Sequence, residues 1–303
     1  MNEKPIVSII TINYNQSTVT NALLESLNKV KSPSFEVIVV DNASGNEDHK
    51  NINTSYPFVK LVLSKTNLGF AGGNNLGYQY ASGDYILLLN NDTEVDPDFM
   101  LPMVELLQND AKIGAVSPKI RYFDHPDIIQ YAGFSPMNML TLRMHAWGFK
   151  EQDRGQHDTR KRTDFAHGCA MMIPRRVIND VGTMCEDYFL YYEEHDWSKR
   201  IRDAGYIIMY EPASLVLHKE SISIRKDSPL KTYYLNRNRI LFMRRNLKGV
   251  SRLVPTLYLV FISIPKNLLG FLLSGKKEHL TAYWKAITWH FKHSVPHSSQ
   301  NKA

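Results

Sequence analysis

Cysteine is scarce: Cys169 and Cys185 are the two among 303 residues. They imply no disulfide framework, and no CxxC or other metal-ligand spacing accompanies them. That fits a reducing, cytoplasmic setting. The N-terminus lacks an apolar run long enough for a secretory core. Its stretch at residues 6–12 has no cleavage site after it and reads as a first buried strand. No internal repeat or long low-complexity segment occurs, and no Gly-Lys-Ser/Thr of a Walker A loop follows any glycine cluster. Acids are nearly missing from one end. From Arg225 onward, 15 Lys/Arg face two acids, Asp227 and Glu278, whereas the other 224 residues carry 21 Lys/Arg and 28 acids. A basic tail on an acidic body points to contact with an anionic surface. A solvated tail with no partner is the plain alternative. No motif that reads nucleic acid accompanies the basic residues, so a nucleic-acid partner is not expected.

What is present is ordinary globular composition, 43% hydrophobic and 22% charged. Short apolar runs at residues 7–12 (VSIITI), 35–40 (FEVIVV), 59–63 and 85–89 (YILLL) read as strands. Between them, residues 17–30, 74–81 and 97–109 read as helices, the first with a Ser17 or Thr18 cap. Near-continuous apolar strands separated by helices imply a mainly parallel sheet covered on both faces, an α/β fold. Further strands are expected at 116–122, 168–173, 206–210 and 214–217, the last two flanking Pro212. Residues 187–203 begin as a loop and become a helix, and 235–247 form an Arg-rich helix.

The run at 253–273 has about the ~20 residues of a membrane span, but Pro265, Lys266 and Asn267 interrupt it. It is read as an interfacial hairpin with Trp284 and Trp289 at headgroup level, a buried helix pair being the alternative.

Ligands of open α/β sheets bind beyond the carboxyl ends of the strands. Three such ends carry polar clusters: Asn13-Tyr14-Asn15, Asp41-Asn42-Ala43-Ser44 and Asn90-Asn91-Asp92. Asp92 is placed to offer a carboxylate to Mg²⁺ or Mn²⁺, cations that share oxygen ligands with phosphates, with Glu94 and Asp96 nearby. The triplet is equally good turn chemistry. Asp41 is placed to accept from a nucleobase or ribose, or to close an Asx-turn. The glycine-rich stretch Asn67 to Asn75 reads as a loop entering a helix, with amides for an anion. Glu193, Glu194 and Asp196 follow an aromatic run, where burial and mutual repulsion would raise one carboxyl's pKa and suit it as a general base. They also read as an acidic first turn favoured by the helix dipole. His218 follows a strand; by itself it reads as structural.

In this order, SIITINYN, VIVVDNASGN, NLGFAGGNN, LLLNNDTEVDPDF, AHGCAMMIPRR, YFLYYEEHDWSKRIRDAGY, LVLHKES and YYLNRNR cover roughly residues 6–245. The ordered set resembles the inverting family 2 glycosyltransferases, especially their bacterial rhamnosyltransferase-like branch. The resemblance implies a GT-A fold. Thr11, Asn13 and Asp41 would bind the donor's nucleoside, and Asn67, Gly69, Asn74 and Asn91 would line the donor pocket. Asp92 would be the retained carboxylate of the DxD position, His218 a further metal ligand, and Glu194 the catalytic base, with Asp196 a second candidate. Two departures stand out: Asn90 replaces the first DxD acid, and Glu194 replaces an aspartate.

The implied organisation is a catalytic domain over residues 1–225, its nucleotide-binding half at about 1–112 and its acceptor half at about 113–225. A basic amphipathic helical segment follows at 226–303. The implied function is inverting transfer of a sugar, rhamnose by the branch, from a dTDP-, UDP- or GDP-sugar to a glycan or lipid-linked acceptor in cell-surface polysaccharide synthesis. The expected location is the cytoplasmic face of the inner membrane. A catalytically impaired sugar-nucleotide or glycan-binding protein is the alternative. A nucleotidyltransferase would want Arg and Lys in its N-terminal loop, where Asn13 to Ser17 stand instead.

Overall fold

The computed structural model describes residues 6–219 and 227–295. The end of the LVLHKES string (Glu220 and Ser221) and the start of the basic tail (Arg225 and Lys226) lie outside the described residues.

β1 (Val7–Asn13), β2 (Phe35–Asp41), β3 (Val59–Leu63) and β4 (Tyr85–Leu89) are parallel neighbours in the order β3-β2-β1-β4. The same sheet continues through β9 (Ala170–Pro174), β6 (Ile113–Tyr122), β10 (Ile207–His218) and β5 (Thr93–Val95). β9 is antiparallel to β4 and β6, while β10 runs parallel to β6. Short strands β7 (Ile129–Tyr131) and β8 (Lys161–Thr163) add to β6 and β10. The mixed, mainly parallel α/β sheet read from the sequence is the one observed.

Both faces are buried because the side-chain period of a strand is two. In β2, Val37 and Val39 join one core with Ile9, Leu23, Leu24 and Leu27, while Ile38 and Val40 join the other with Ile10, Leu88 and Trp197. α1 (Ser17–Leu27) and α3 (Leu101–Asn109) cover the first face; α2 (Gly69–Tyr80), α4 (Arg175–Val181) and α5 (Glu193–Asp203) cover the second. The cap of α1 is tertiary: Asp48 accepts from the Ser17 backbone N–H at 2.9 Å and from its hydroxyl at 2.7 Å.

Three local expectations are corrected. The glycine-rich stretch is not a loop, because α2 begins at Gly69. A Cβ on Gly77 would lie 2.4 Å from Ile10 Cγ2, so α2 rests directly on β1. The two strands around Pro212 are one strand, with a register shift between Glu211 and Leu215 that absorbs the proline. The apolar C-terminal run is also unbroken. α7 (Gly249–Tyr258), a π turn (Leu259–Ser263) and α8 (Ile264–Leu273) form one 25-residue helix, Gly249–Leu273. The π turn sits just ahead of Pro265 and widens the helix where the ring would otherwise clash. The chain then reverses into α9 (Lys277–Lys292), which packs along α6 (Pro229–Asn246).

Candidate active site

Strand ends, the start of α2 and the start of α5 enclose one cleft of about 480 Å³. Of the nucleoside candidates, Thr11, Asn13 and Asp41 stand behind its wall; Ile12, Tyr14 and Asn42 line it. Strand alternation explains Thr11 and Asn13, because Ile12 and Tyr14 point the other way. Asn13 donates to Asp41 Oδ2 at 2.8 Å and to Asp48 Oδ2 at 3.0 Å, and accepts from Thr20 at 2.8 Å. Thr11 Oγ1 is buried with no hydrogen-bond partner among the described residues.

Asn67, Gly69 and Asn74 do line the cleft. Asn42 staples this edge: it donates to Asn67 Oδ1 and Gly69 O, both at 3.1 Å, and accepts from Leu68 N at 2.9 Å. Gly69 has φ +70°, and a Cβ there would stand 2.3 Å from Phe189 O. No other residue fits that approach.

Asn90, Asn91 and Asp92 turn off β4 into the cleft, although the Asn91 amide itself donates to Thr20 Oγ1 at 3.1 Å. Asp92 Oδ1 faces His218 Nε2 at 3.2 Å, an ion-pair separation without hydrogen-bond alignment, and Oδ1 has no other partner among the described residues. His218 Nδ1 meets Gln130 Oε1 at 2.8 Å, which turns Nε2 toward Asp92. Burial works against the charged imidazole, yet Cys169 and Asp92 beside it raise its pKa well above the ordinary value. Glu94 does not assist; it pairs with Lys219 Nζ at 2.7 Å. Among the described residues, no group of three His, Cys, Asp or Glu side chains is arranged around a metal. Asp92 and His218, the latter once its proton is lost, are side chains of the types a divalent cation would take, and they come to two, not three.

Glu193 and Glu194 also line the cleft, Glu194 beside Gly168. Glu194 Oε1 lies 3.4 Å from His195 Nδ1, and its Oε2 has no hydrogen-bond partner among the described residues. Glu193 is buried, and burial together with the Glu194 charge pushes its carboxyl well above the ordinary range. The second base candidate, Asp196, is corrected by its position. It is 0% exposed and does not line the cleft. Its carboxylate accepts from Tyr188 Oη at 3.1 Å, Arg200 Nε at 3.0 Å and Asn246 Nδ2 at 2.8 Å, with Arg245 alongside.

Sequence reasoning missed the aromatic lip and its floor. Phe189, Leu190 and Tyr191 line the cleft, as do His167 and Cys169. Burial, then the neighbouring His218 and His195, lower the His167 pKa to about 3, so it is neutral. The signal for the lip was the run Tyr188 to Tyr192, legible as an aromatic cluster but not as a wall.

The glycosyl transferase family 2 model matches residues 8–182. The chain belongs to glycosyl transferase family 2. This transferase is 27% identical over 263 residues to the low-salt glycan biosynthesis hexosyltransferase of Haloferax volcanii, covering 85% of this chain and 82% of that protein. It is 22% identical over 244 residues to the N-acetylglucosaminyl-diphospho-decaprenol L-rhamnosyltransferase of Mycobacterium tuberculosis, covering 73% and 78%. In fold, the glycosyltransferase matches a mannosyltransferase of Pyrobaculum calidifontis solved with GDP-Man and Mn²⁺, with TM-score 0.59, 16% identity and coverage of 99% and 79%. It likewise matches TarS of S. aureus (residues 1–349) with UDP-GlcNAc, with TM-score 0.57, 16% identity and coverage of 92% and 81%. The fold is GT-A.

Proposed function

We propose that this enzyme moves a hexose, with inversion, from a nucleoside-diphosphate donor to a hydroxyl of a glycan or lipid-linked acceptor in cell-surface polysaccharide synthesis. The observation that carries this reading is the cleft itself. Glu194, one of whose carboxylate oxygens has no hydrogen-bond partner among the described residues, and the Asp92–His218 pair line the same space. The named rhamnosyltransferase and hexosyltransferase relatives make rhamnose one candidate sugar and a lipid diphosphate one acceptor class.

In this reading Asp92 and His218 would hold Mg²⁺ or Mn²⁺ beside the donor's phosphates. When bound, the cation offsets charge developing on the departing nucleoside diphosphate. Asn67, Gly69 and Asn74 shape the donor side of the cleft, with Asn42 fixing their backbone. Thr11, Asn13 and Asp41 support the nucleoside edge from behind. Glu194 takes the proton of the acceptor hydroxyl as its oxygen attacks the anomeric carbon from the face opposite the nucleotide. One displacement inverts the configuration. Glu193, beside it, is more deeply buried, and burial together with the Glu194 charge pushes its carboxyl well above the ordinary range.

The test is release of nucleoside diphosphate across a panel of dTDP-, UDP- and GDP-sugars, with a lipid-linked acceptor supplied. Glu194→Gln should lower transfer by about 10²- to 10⁴-fold, the range for a lost general base, with donor affinity unchanged. Wild-type turnover by that variant would place the base elsewhere, and release of pyrophosphate would overturn the reaction class.

A further inference from the structure

Arg239 on α6 is 4% exposed, yet among the described residues no carboxylate pairs with it. Its Nη2 donates weakly to Asn236 Oδ1 at 3.4 Å and to Ser263 Oγ at 3.2 Å. Its Nε is buried with no partner among the described residues. A buried guanidinium ordinarily has an anion beside it, because it loses hydration that only a counter-charge replaces. After burial, the largest influences on Arg239 are the Tyr192 hydroxyl, a second cation, Arg143, and the hydroxyls of Tyr283 and Tyr258. Burial lowers the pKa of Arg239, and Arg143 adds to the effect. The contrast within α6 is direct: Arg245 has Asp196 and Asp187 beside it.

The position of this unbalanced charge is specific. Ser263 closes the π turn of the long C-terminal helix, whose outer face is apolar. Tyr192 precedes the first residue of α5, and its hydroxyl donates to Leu142 O at 3.2 Å, next to Arg143. Arg239 thus touches the apolar helix at Ser263, and Arg143 follows Leu142, whose carbonyl holds Tyr192 just ahead of the helix start that carries Glu193 and Glu194. We infer that these two arginines receive the phosphate groups of a lipid-linked acceptor. They would hold its diphosphate between an isoprenoid chain along the apolar helix and a sugar in the cleft. Guanidinium groups suit this because they bind phosphate through paired charge-assisted hydrogen bonds. The inference rests on the lipid-linked acceptor proposed above and adds the site that selects it.

The full chain is tested without donor sugar, so the result is independent of the assignment of Glu194. Sedimentation is measured with phosphatidylcholine vesicles carrying a polyprenyl diphosphate, and with vesicles matched in charge by phosphatidylglycerol. The expected result is about tenfold tighter wild-type binding to the diphosphate vesicles, the scale of one added charged hydrogen bond, reversed by inorganic pyrophosphate. Arg239→Gln and Arg143→Gln should each remove that preference and leave phosphatidylglycerol binding unchanged. Arg143 is exposed, so its variant carries the test even where Arg239→Gln fails to fold. Equal wild-type binding to both vesicles would assign the surface to bulk anionic lipid and overturn the inference. So would retention of the preference by Arg143→Gln together with a folded Arg239→Gln.

Discussion

The side-chain amide of Asn238, buried in α6, lies 2.7 Å from the carbonyl oxygen of Tyr191 at the lip of the cleft. The same amide also donates to Tyr188 O at 2.9 Å and Leu190 O at 2.7 Å. The lip needs such a clamp because Phe189, Tyr191 and Tyr192 all have positive φ, at 63°, 69° and 75°. Bulky residues in that region are strained by about 1–3 kcal/mol each, and surrounding structure must hold them there. Asn238→Ala takes the side-chain donor from Leu190 O and Tyr191 O, while Tyr188 O keeps Arg237 Nη2 at 2.7 Å. We expect it to lower stability by about 1–3 kcal/mol in chemical denaturation, and to lower kcat more than donor affinity because α5 starts at this lip. Unaltered kcat in a folded variant would show that the lip holds its shape unaided.

Glu193 makes stability depend on pH in a calculable direction. Burial and the adjacent Glu194 charge raise its pKa well above the ordinary 4.5. The unfolded chain gives up this proton near the ordinary value, the folded chain only at higher pH. In between, the native state binds more protons, so stability declines as pH rises. The contribution is complete below the unfolded value and is lost as pH climbs toward the folded one. Glu193→Gln keeps the shape of the protonated carboxyl and removes this loss. The variant should match wild type near pH 4.5 in denaturant midpoint and exceed it at about pH 8. The gain is about 1.4 kcal/mol for every pH unit climbed between the unfolded and the folded ionisation. Parallel curves for the two proteins would mean that Glu193 is ionised in the fold.

Asp92 and His218 give a separate prediction about metal. If their shared space holds the cation, Asp92→Asn should weaken Mn²⁺-dependent binding of a nucleoside diphosphate by about 10- to 100-fold, the usual scale for disturbing a metal site. Calorimetric titration with and without Mn²⁺ reads this. A chelator should reduce the wild type to the level of the variant. Donor binding that ignores both the chelator and the substitution would remove the metal from the account.

Much of the fold was legible because buried parallel strands are nearly continuous apolar runs: FEVIVV and YILLL could be little else. The start of α2 was hidden because Gly-Phe-Ala-Gly-Gly has poor helix propensity. Packing overrides it, since Gly77 lets the helix lie on Ile10. Pro212 suggested a break because it cannot donate to a ladder, and the bulge beside it removes that need. In the site, Glu194 and Asp196 share one motif but are two residues apart on a helix. They therefore face nearly opposite directions, and one reaches the cleft while the other meets Arg200 and Arg245. Arg239 was invisible, because nothing in an arginine-rich helix tells which guanidinium will be buried with no acid beside it among the described residues.

The C-terminal helix yields the last prediction, concerning where the enzyme works. Pro255, Leu259 and Ser263 form its inner stripe, and Leu259 packs with Ile240, Met243 and Leu247 near α6. One side is therefore held against protein. The outer side exposes Leu253, Leu257, Phe261 at 72% and Leu273 at 78%, beside exposed Lys248, Arg252, Lys276 and Lys277. Only 11% of its most apolar stretch is buried. A helix fixed along one flank and rimmed by cations suits the headgroup–acyl boundary of an anionic bilayer, lying in its plane. Deleting everything after Gly249 would strip α6 of its partners, so substitutions on the outer face are the cleaner probe. Phe261→Ser with Leu273→Ser removes two side chains worth about 1.5–3 kcal/mol each when fully buried. Binding to phosphatidylglycerol-containing vesicles should fall by at least about 100-fold, with the melting temperature and soluble donor binding unchanged. If the doubly substituted chain stays on vesicles as the wild type does, this face is not the one that meets the membrane. If wild type elutes as a dimer that the substitutions dissolve, the face is covered by a second copy instead.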